Sequence, residues 1–271
     1  MVDFDAGYVD EPFAGLCRDY PGAAVYPPHD FRVEWGPVFH RGRLDGRARI
    51  LLLGQDPGPH EAIARRILVG EAGQRVQGFL AKLGIQRSYV MVNAFLYSVY
   101  GQQGGEHHVA DPGIASYRNR WLDALLAGGD VGAVVAFGHL ADAAWRAWRD
   151  TPAGEASSVT YVHLTHPTQP DAVSRGDQAR FAAAMKAMLA EWNQGLAVLA
   201  PVVGGADAPV DPEPYGTTLT AADHATIPAG DLPAGLPVWM GGLTTWADRT
   251  GTTAALKRAT IAVTVPPEAR P

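Results

Sequence analysis

Ile50-Leu51-Leu52-Leu53-Gly54-Gln55-Asp56-Pro57-Gly58 is the stretch that decides the fold class. Its four apolar residues read as a short buried strand. The glycine, polar pair and Pro-Gly step that follow read as the turn that ends it. Such a turn presents Gln55 and Asp56 at the carboxyl edge of a sheet, and in open α/β sheets ligands bind at that edge. An Asp held there is a candidate catalytic carboxylate; the alternative is a turn Asp that hydrogen-bonds its own backbone.

Working outward, strands and helices alternate. Gly73–Leu83 carries Val76, Phe79, Leu80 and Leu83 at helical spacing, with Gly84 as its stop. Tyr89–Val92 reads as a second strand closing on Asn93, and Ile114–Leu126 as a helix. Val131–Phe137 is a third strand ending on Gly138-His139, followed by a helix over Leu140–Trp148. Val159–Leu164 is a fourth strand ending in Thr165-His166-Pro167-Thr168, and Asp177–Trp192 is a long amphipathic helix. This alternation implies parallel strands joined by right-handed crossovers. The expectation is a three-layer α/β/α fold with a four-stranded parallel sheet, whose strand ends bring Asp56, Asn93, His139 and His166 to one edge. Residues 1–48 read as irregular, with Tyr26-Pro27-Pro28 in their midst. Residues 204–214 are a linker by composition. The remainder, with β-prone runs at Pro237–Met240 and Thr260–Val265, reads as a small β-rich extension packed on the core. The division expected is an α/β domain over 1–203 and a linker plus extension over 204–271.

Composition narrows the classes. A chain of 271 residues with 47% hydrophobic content can bury a sizeable core. Cys17 is the one cysteine, which excludes an internal disulfide framework and cysteine-ligated zinc or iron–sulfur sites. It fits a reducing compartment, and the expected location is cytoplasmic. No apolar run is long enough for a membrane span, so no membrane partner is expected, and the first residues do not resemble a secretory signal. His107-His108 and the His163/His166 pair lack metal-site spacing, so neither metal nor other cofactor is expected. Neither Gly-x-Ser-x-Gly nor a phosphate-cradling loop occurs. The net charge of −6 argues weakly against nucleic acid. An enzyme that acts briefly on DNA needs only a local basic footprint, however. Arg65, Arg66, Arg75, Lys82 and Arg87 form one cluster and Arg175 with Arg180 another; the alternative is solvated helix faces.

Asp56, Asn93 and His166 have complementary chemistries. A carboxylate can orient water and stabilise a cationic sugar-like transition state. An Asn amide offers a donor and an acceptor to a nucleobase edge. A His can hydrogen-bond a departing base anion. Each also has a plain role as turn or strand-end residue. Gly54-Gln55-Asp56-Pro57-Gly58, then Leu68-Val69-Gly70-Glu71-Ala72-Gly73 with the strand ending at Asn93-Ala94, then His166-Pro167-Thr168, resemble the ordered motifs of the uracil-DNA glycosylase superfamily. Tyr26-Pro27-Pro28 sits where its uracil-removing branch has a Tyr-Pro segment. The resemblance covers about residues 20–195.

The resemblance implies a monofunctional, metal-free glycosylase that flips a base from DNA. Asp56 would activate water, His166 would support the leaving base, and Asn93 would read its Watson–Crick edge. Backbone groups near Gln55 would bind base oxygens. Thr168, Gln169, Pro170 and Arg175 would meet the DNA, and the product would pass to downstream abasic-site enzymes. Several positions depart from the family pattern. The cysteines that hold an iron–sulfur cluster in related branches are missing. Gly58 replaces the Tyr that blocks the C5 side of the base. Leu68 stands where an aromatic stacks, with Phe95 or Tyr97 as substitutes, and Pro170 is the nearest candidate for the wedge that fills the vacated stack. A pocket opened in this way admits uracil, other damaged pyrimidines, or a bulky C5-modified cytosine of phage DNA, which would make the protein a defence enzyme. A non-catalytic reader of extruded bases is the rival from another class.

Overall fold

A computed structural model describes residues 8–270. The main sheet among these residues has five strands in the order β1-β3-β2-β4-β5. They are β1 (Arg41–Gly42), β2 (Ile50–Gly54), β3 (Tyr89–Asn93), β4 (Ala133–Phe137) and β5 (Thr160–Leu164). The four expected strands are all present and mutually parallel, β2 pairing with both β3 and β4. The expected four-stranded count is corrected by β1, which adds an antiparallel edge through Arg41↔Met91 and Gly42↔Val90. A two-residue strand offers no alternation to read, and its Arg is buried for a reason set far away in sequence.

The helices are α1 (Phe13–Arg18), α2 (Pro59–Ala64), α3 (Gly70–Lys82), α4 (Gly101–His108), α5 (Pro112–Leu126), α6 (His139–Arg149), α7 (Pro152–Ala156), α8 (Gln169–Ser174) and α9 (Gln178–Val203). Successive strand residues point to opposite faces, and the core divides accordingly. Leu51, Leu53, Val90, Val92, Val134 and Ala136 pack with Phe13 of α1, Trp121 of α5 and Trp145 and Trp148 of α6. Ile50, Leu52, Tyr89, Met91, Val135 and Phe137 pack with Phe79 of α3 and with Met188, Leu189 and Trp192 of α9. A sheet covered on both faces explains why its strands read as unbroken apolar runs. Helix α9 continues past the expected end at Trp192 because Leu196, Leu199 and Val203 keep its buried stripe going.

The chain runs from β2 outward to β3, then returns to the other side of β2 to form β4 and β5. That reversal opens a crevice at the carboxyl ends of β2 and β4, the usual ligand position in such sheets. Gln55-Asp56 and Gly138-His139 follow those two strands directly.

Beyond α9 the chain stays tied to the core. The Asp207 carboxylate accepts the backbone N–H groups of Gln86, Arg87 and Ser88 and the Ser88 hydroxyl, which fixes the composition-defined linker to the start of β3. The extension contains α10 (Trp239–Gly242), β6 (Ala247–Arg249), α11 (Ala254–Ala259) and β7 (Ile261–Val263). The β-prone run at 237–240 instead enters α10, with Val238 as its N-cap. The run at 260–265 does contain β7, and its antiparallel partner is β6.

One contact of the extension reaches into the sheet. Asp231 pairs with Arg41 of β1 at 3.1 Å, both side chains wholly buried, and accepts the Tyr89 hydroxyl. Gln77 and Met91 take further Arg41 protons. Removing one partner of a buried pair strands the other charge and costs about 3–5 kcal/mol. Asp231→Ala is therefore expected to lower unfolding free energy by about 3–5 kcal/mol in urea titrations. A loss under about 1 kcal/mol would show that the pair does not anchor the extension.

Candidate active site

A cavity of about 1130 Å³ opens at the carboxyl edge of the sheet, larger than a base requires. Asp56, Asn93, His139 and His166, carried by four different strand ends, all line it. Two glycines make that convergence possible. A Cβ on Gly54 would lie 2.3 Å from the Asn93 Oδ1, so the amide crosses the β2 end only because no side chain is there. Gly138, with φ +87°, would otherwise crowd the Gln55 amide at 3.1 Å and the His166 Cβ at 3.2 Å.

Asp56 is held through its Oδ2, which accepts the Val99 N–H at 2.9 Å. Val99 is itself placed by Arg32, whose Nη1 donates to the Val99 carbonyl and the Ser98 hydroxyl. Burial pushes the Asp56 carboxyl up to about 6, against the opposing pull of the Val99 N–H, Arg32 and Arg249. Desolvation thus outweighs three charge-favouring contacts. Even so, the group stays ionised through most of the neutral range.

His166 takes the opposite course. Its Nδ1 accepts the Thr168 N–H at 3.3 Å, with the Thr168 hydroxyl at 3.2 Å. An accepting Nδ1 leaves the ring proton on Nε2 as a donor. Burial, and then the charge of Arg75, lower its pKa to about 4, so the ring is neutral at pH 7. Arg75 donates to the Pro167 carbonyl and the Asp171 carboxylate and is salt-bridged to Glu71, tying α3 to the histidine turn.

Glu61 is a further site residue. Its buried carboxylate accepts the Gly58 N–H and the Val69 N–H, each at 2.9 Å, and so pins the Asp56 turn to the Leu68-Val69 loop. Burial raises its pKa to about 7. A Cβ on Gly58 would meet the Glu61 Oε2 at 2.8 Å, so glycine there serves this tie as well as pocket width. Its place as the third residue of α2, after a glycine turn, carries the signature of a capping acid.

The remaining expected residues divide. Gln55, Leu68, Thr168, Gln169 and Arg175 line the cavity. The Gln55 Oε1 is buried without a partner, so the site holds a polar atom ready for a ligand. Phe95 does not reach the cavity; it is fully buried against Phe31, 5.4 Å between rings. Tyr97 and Tyr26 are likewise core residues, their rings 4.9 Å apart. Pro170 is buried in the first turn of α8, whereas Val173, on the same helix, is 42% exposed at the cavity rim. Of the first basic cluster, Arg65 donates to the Trp35 and Pro37 carbonyls, Arg75 acts as above, and Lys82 pairs with Asp223. These three cations are neither a solvated face nor a footprint; Arg175 and Arg180 do line the cavity. No group of His, Cys, Asp and Glu able to hold a metal occurs among the described residues, and no helix among them is long and apolar enough to cross a membrane.

The side of the pocket next to Gly58 is bordered by the extension. The His60 Nε2 accepts the N–H groups of Trp246 and Ala247, and Thr244, Thr245, Asp248 and Arg249 line the cavity.

A raised carboxyl pKa means that the folded state prefers the protonated acid. The stability contributed by Asp56 is therefore lost as pH rises from about 4 through 6. Asp56→Asn, whose amide oxygen can still accept the Val99 N–H, is expected to stabilise the protein by about 1–3 kcal/mol at pH 7 and by little at pH 4. Thermal unfolding of both proteins across that range checks this; a variant less stable than wild type at pH 7 would contradict it.

A model of the family described as Uracil DNA glycosylase superfamily matches residues 41–193. No curated protein matches the chain.

Proposed function

From the premise that the chain belongs to the uracil-DNA glycosylase superfamily, we propose that it hydrolyses the N-glycosidic bond of a pyrimidine flipped out of DNA, leaving an abasic site. The observation that carries this reading is the pairing in one cavity of an ionisable Asp56 with a neutral, Nε2-protonated His166. As the glycosidic bond lengthens, positive charge grows on the sugar and negative charge on the base. Asp56 stabilises the first and orients the attacking water; fixed charge in a desolvated site acts strongly and needs no reorganisation. The His166 Nε2–H donates to the oxygen of the leaving base. A neutral imidazole suits this role, because it stabilises the anion without having to be charged in a buried site. Asn93 and the unpartnered Gln55 amide oxygen read the base edge.

Asp56→Asn is expected to lower abasic-site formation at least about 100-fold while DNA affinity changes less than about threefold. The rate of the wild type should fall on an acidic limb near pH 6, where Asp56 takes up its proton, with no second limb from His166 between pH 5 and 8. The assay is alkali cleavage of oligonucleotides carrying uracil and other deaminated pyrimidines. Base release undiminished in the variant would end the enzyme reading. A non-catalytic reader would also gain stability by losing the buried acid, which this chain keeps.

A second reading concerns the substrate. Gly58, the non-aromatic Leu68 and the polar residues Thr244, Thr245 and Asp248 leave a wide, hydrophilic space beside the Asp56 turn. That space favours a bulky C5-modified cytosine and hence a defence role against phage. Phage DNA with hypermodified cytosine belongs in the same assay, and release from uracil alone would remove this reading.

The apolar wedge is assigned to Val173. Filling a vacated base stack matters only where there is a stack to fill. Val173→Ala is expected to slow base release from duplex DNA about 5–20-fold, a few kcal/mol of unstacking being at stake, and to leave single-stranded substrate unaffected. Equal losses on both substrates would remove Val173 from that role.

A further inference from the structure

The family match ends at residue 193, yet part of the cavity wall comes from residues 244–249. The extension is seated there specifically. The His60 Nε2 accepts the Trp246 N–H at 3.1 Å and the Ala247 N–H at 3.2 Å, and the two rings meet edge to face at 4.9 Å. Burial lowers the His60 pKa and keeps the ring neutral, as an acceptor must be. Trp246 and Ala247 complete an apolar cluster with Ala64 of α2 and Val69. The backbone that bears Arg249 is thus fixed to the helix that follows the Asp56 turn.

Arg249 itself is exposed at the cavity and makes no ion pair among the described residues. It stands near a second cation, Arg32, which is buried and committed to Ser98 and Val99. Both cations lie within electrostatic reach of the Asp56 carboxylate, and Arg249, exposed and in no ion pair among the described residues, is open to a further anion from outside. From α11 of the same extension, Arg258 lies over the Tyr100 ring at 4.5 Å, while Arg32 covers that ring at 4.2 Å. Arg175 and Arg180 also line the cavity, from the α8–α9 segment. Arg175, Arg180 and Arg249 share the cavity wall with Asp56, Glu61, Glu71 and Asp248, so they offer anion contacts at particular points and not a general positive field.

We propose that the C-terminal extension is part of the nucleic-acid interface, and that Arg249 binds a backbone phosphate of the strand whose nucleotide enters the cavity, Arg175 and Arg180 holding that strand from the α8–α9 side. This rests on the glycosylase reading of the cavity. A phosphate contact of this kind carries no base information but sets the register of the strand. The extension would then position the DNA and border the side of the pocket that Gly58 leaves wide.

The test is anisotropy of the full chain with a labelled duplex containing a tetrahydrofuran abasic analogue, titrated between 50 and 200 mM salt. Loss of one phosphate contact reduces the slope of log affinity against log salt by about 0.9. Arg249→Ala is expected to bind about 5–10-fold more weakly at 50 mM salt with that reduced slope, and Arg249→Lys to keep the wild-type slope. Lys186→Ala, which removes an exposed cation of α9 outside the cavity, should match wild type. Wild-type affinity and slope in Arg249→Ala would overturn the proposal. So would weakened binding with an unchanged slope in both Arg249 variants, which would mark a structural role. Base release by Asp56→Asn separates the two readings. If that variant remains active, the catalytic reading falls, while the salt slope still decides whether Arg249 meets phosphate.

Discussion

The Asp56 carboxylate is charged in a place where burial opposes charge, and much of the site is arranged around that conflict. The Val99 N–H holds one oxygen, and Arg32 holds Val99 while adding its own positive field. These contacts fall short of repaying the lost hydration, so the pKa settles near 6 instead of the ordinary 3.8. A turn Asp placed for stability would face solvent or cap its own turn. This one is oriented by a segment beyond the next strand and turned toward the cavity. Burial this costly is what a catalytic carboxylate needs, since its field on a cationic transition state is strongest where water cannot screen it.

The same physics sets His166 on the other course. Low polarity and the Arg75 charge both disfavour imidazolium, and the Thr168 N–H fixes which nitrogen carries the proton. Arg75 contributes twice, electrostatically and by holding the Pro167 carbonyl. One environment thus keeps an acid ionised and a base neutral at pH 7. Both groups have a cation and an N–H donor nearby, partners that favour the charged form of an acid and the neutral form of a base, while burial favours the neutral form of each.

The central fold was legible because a doubly covered sheet leaves a strong mark in sequence. Each strand is a short apolar run, and each ends in a polar turn at the same edge. Asp56, Asn93, His139 and His166 could be placed at that edge for that reason alone. What escaped has a common cause. β1 has two residues, and its Arg41 is explained only by Asp231, 190 positions away. Phe95 follows Asn93 closely enough to suggest a stacking ring, but the chain turns it into the core against Phe31. Pro170 and Val173 lie on one short helix, and only its rotation decides which of them faces the rim. Glu61 was open to discovery, as an acid three residues beyond a glycine turn is a recognisable helix start.

The extension bears most directly on where the functional unit ends. The family match stops within α9, and the remainder, rich in Gly, Pro and Thr, reads from its sequence as an extension packed on the core. Three contacts hold it there, each at a different depth: Asp207 on the start of β3, Asp231 inside the sheet, and Trp246 on His60. Their order in the chain leads from the amino-terminal edge of the sheet toward its carboxyl edge. A segment kept only for stability could stop at the first two. This one continues to the helix beside the Asp56 turn, where it leaves Asp248 and Arg249 exposed to the cavity. Ordering a charged strand there costs conformational entropy that burial of Trp246 and Ala247 offsets, and neither charged side chain shares in that burial. Their position is therefore better explained by what enters the cavity than by what holds the fold together.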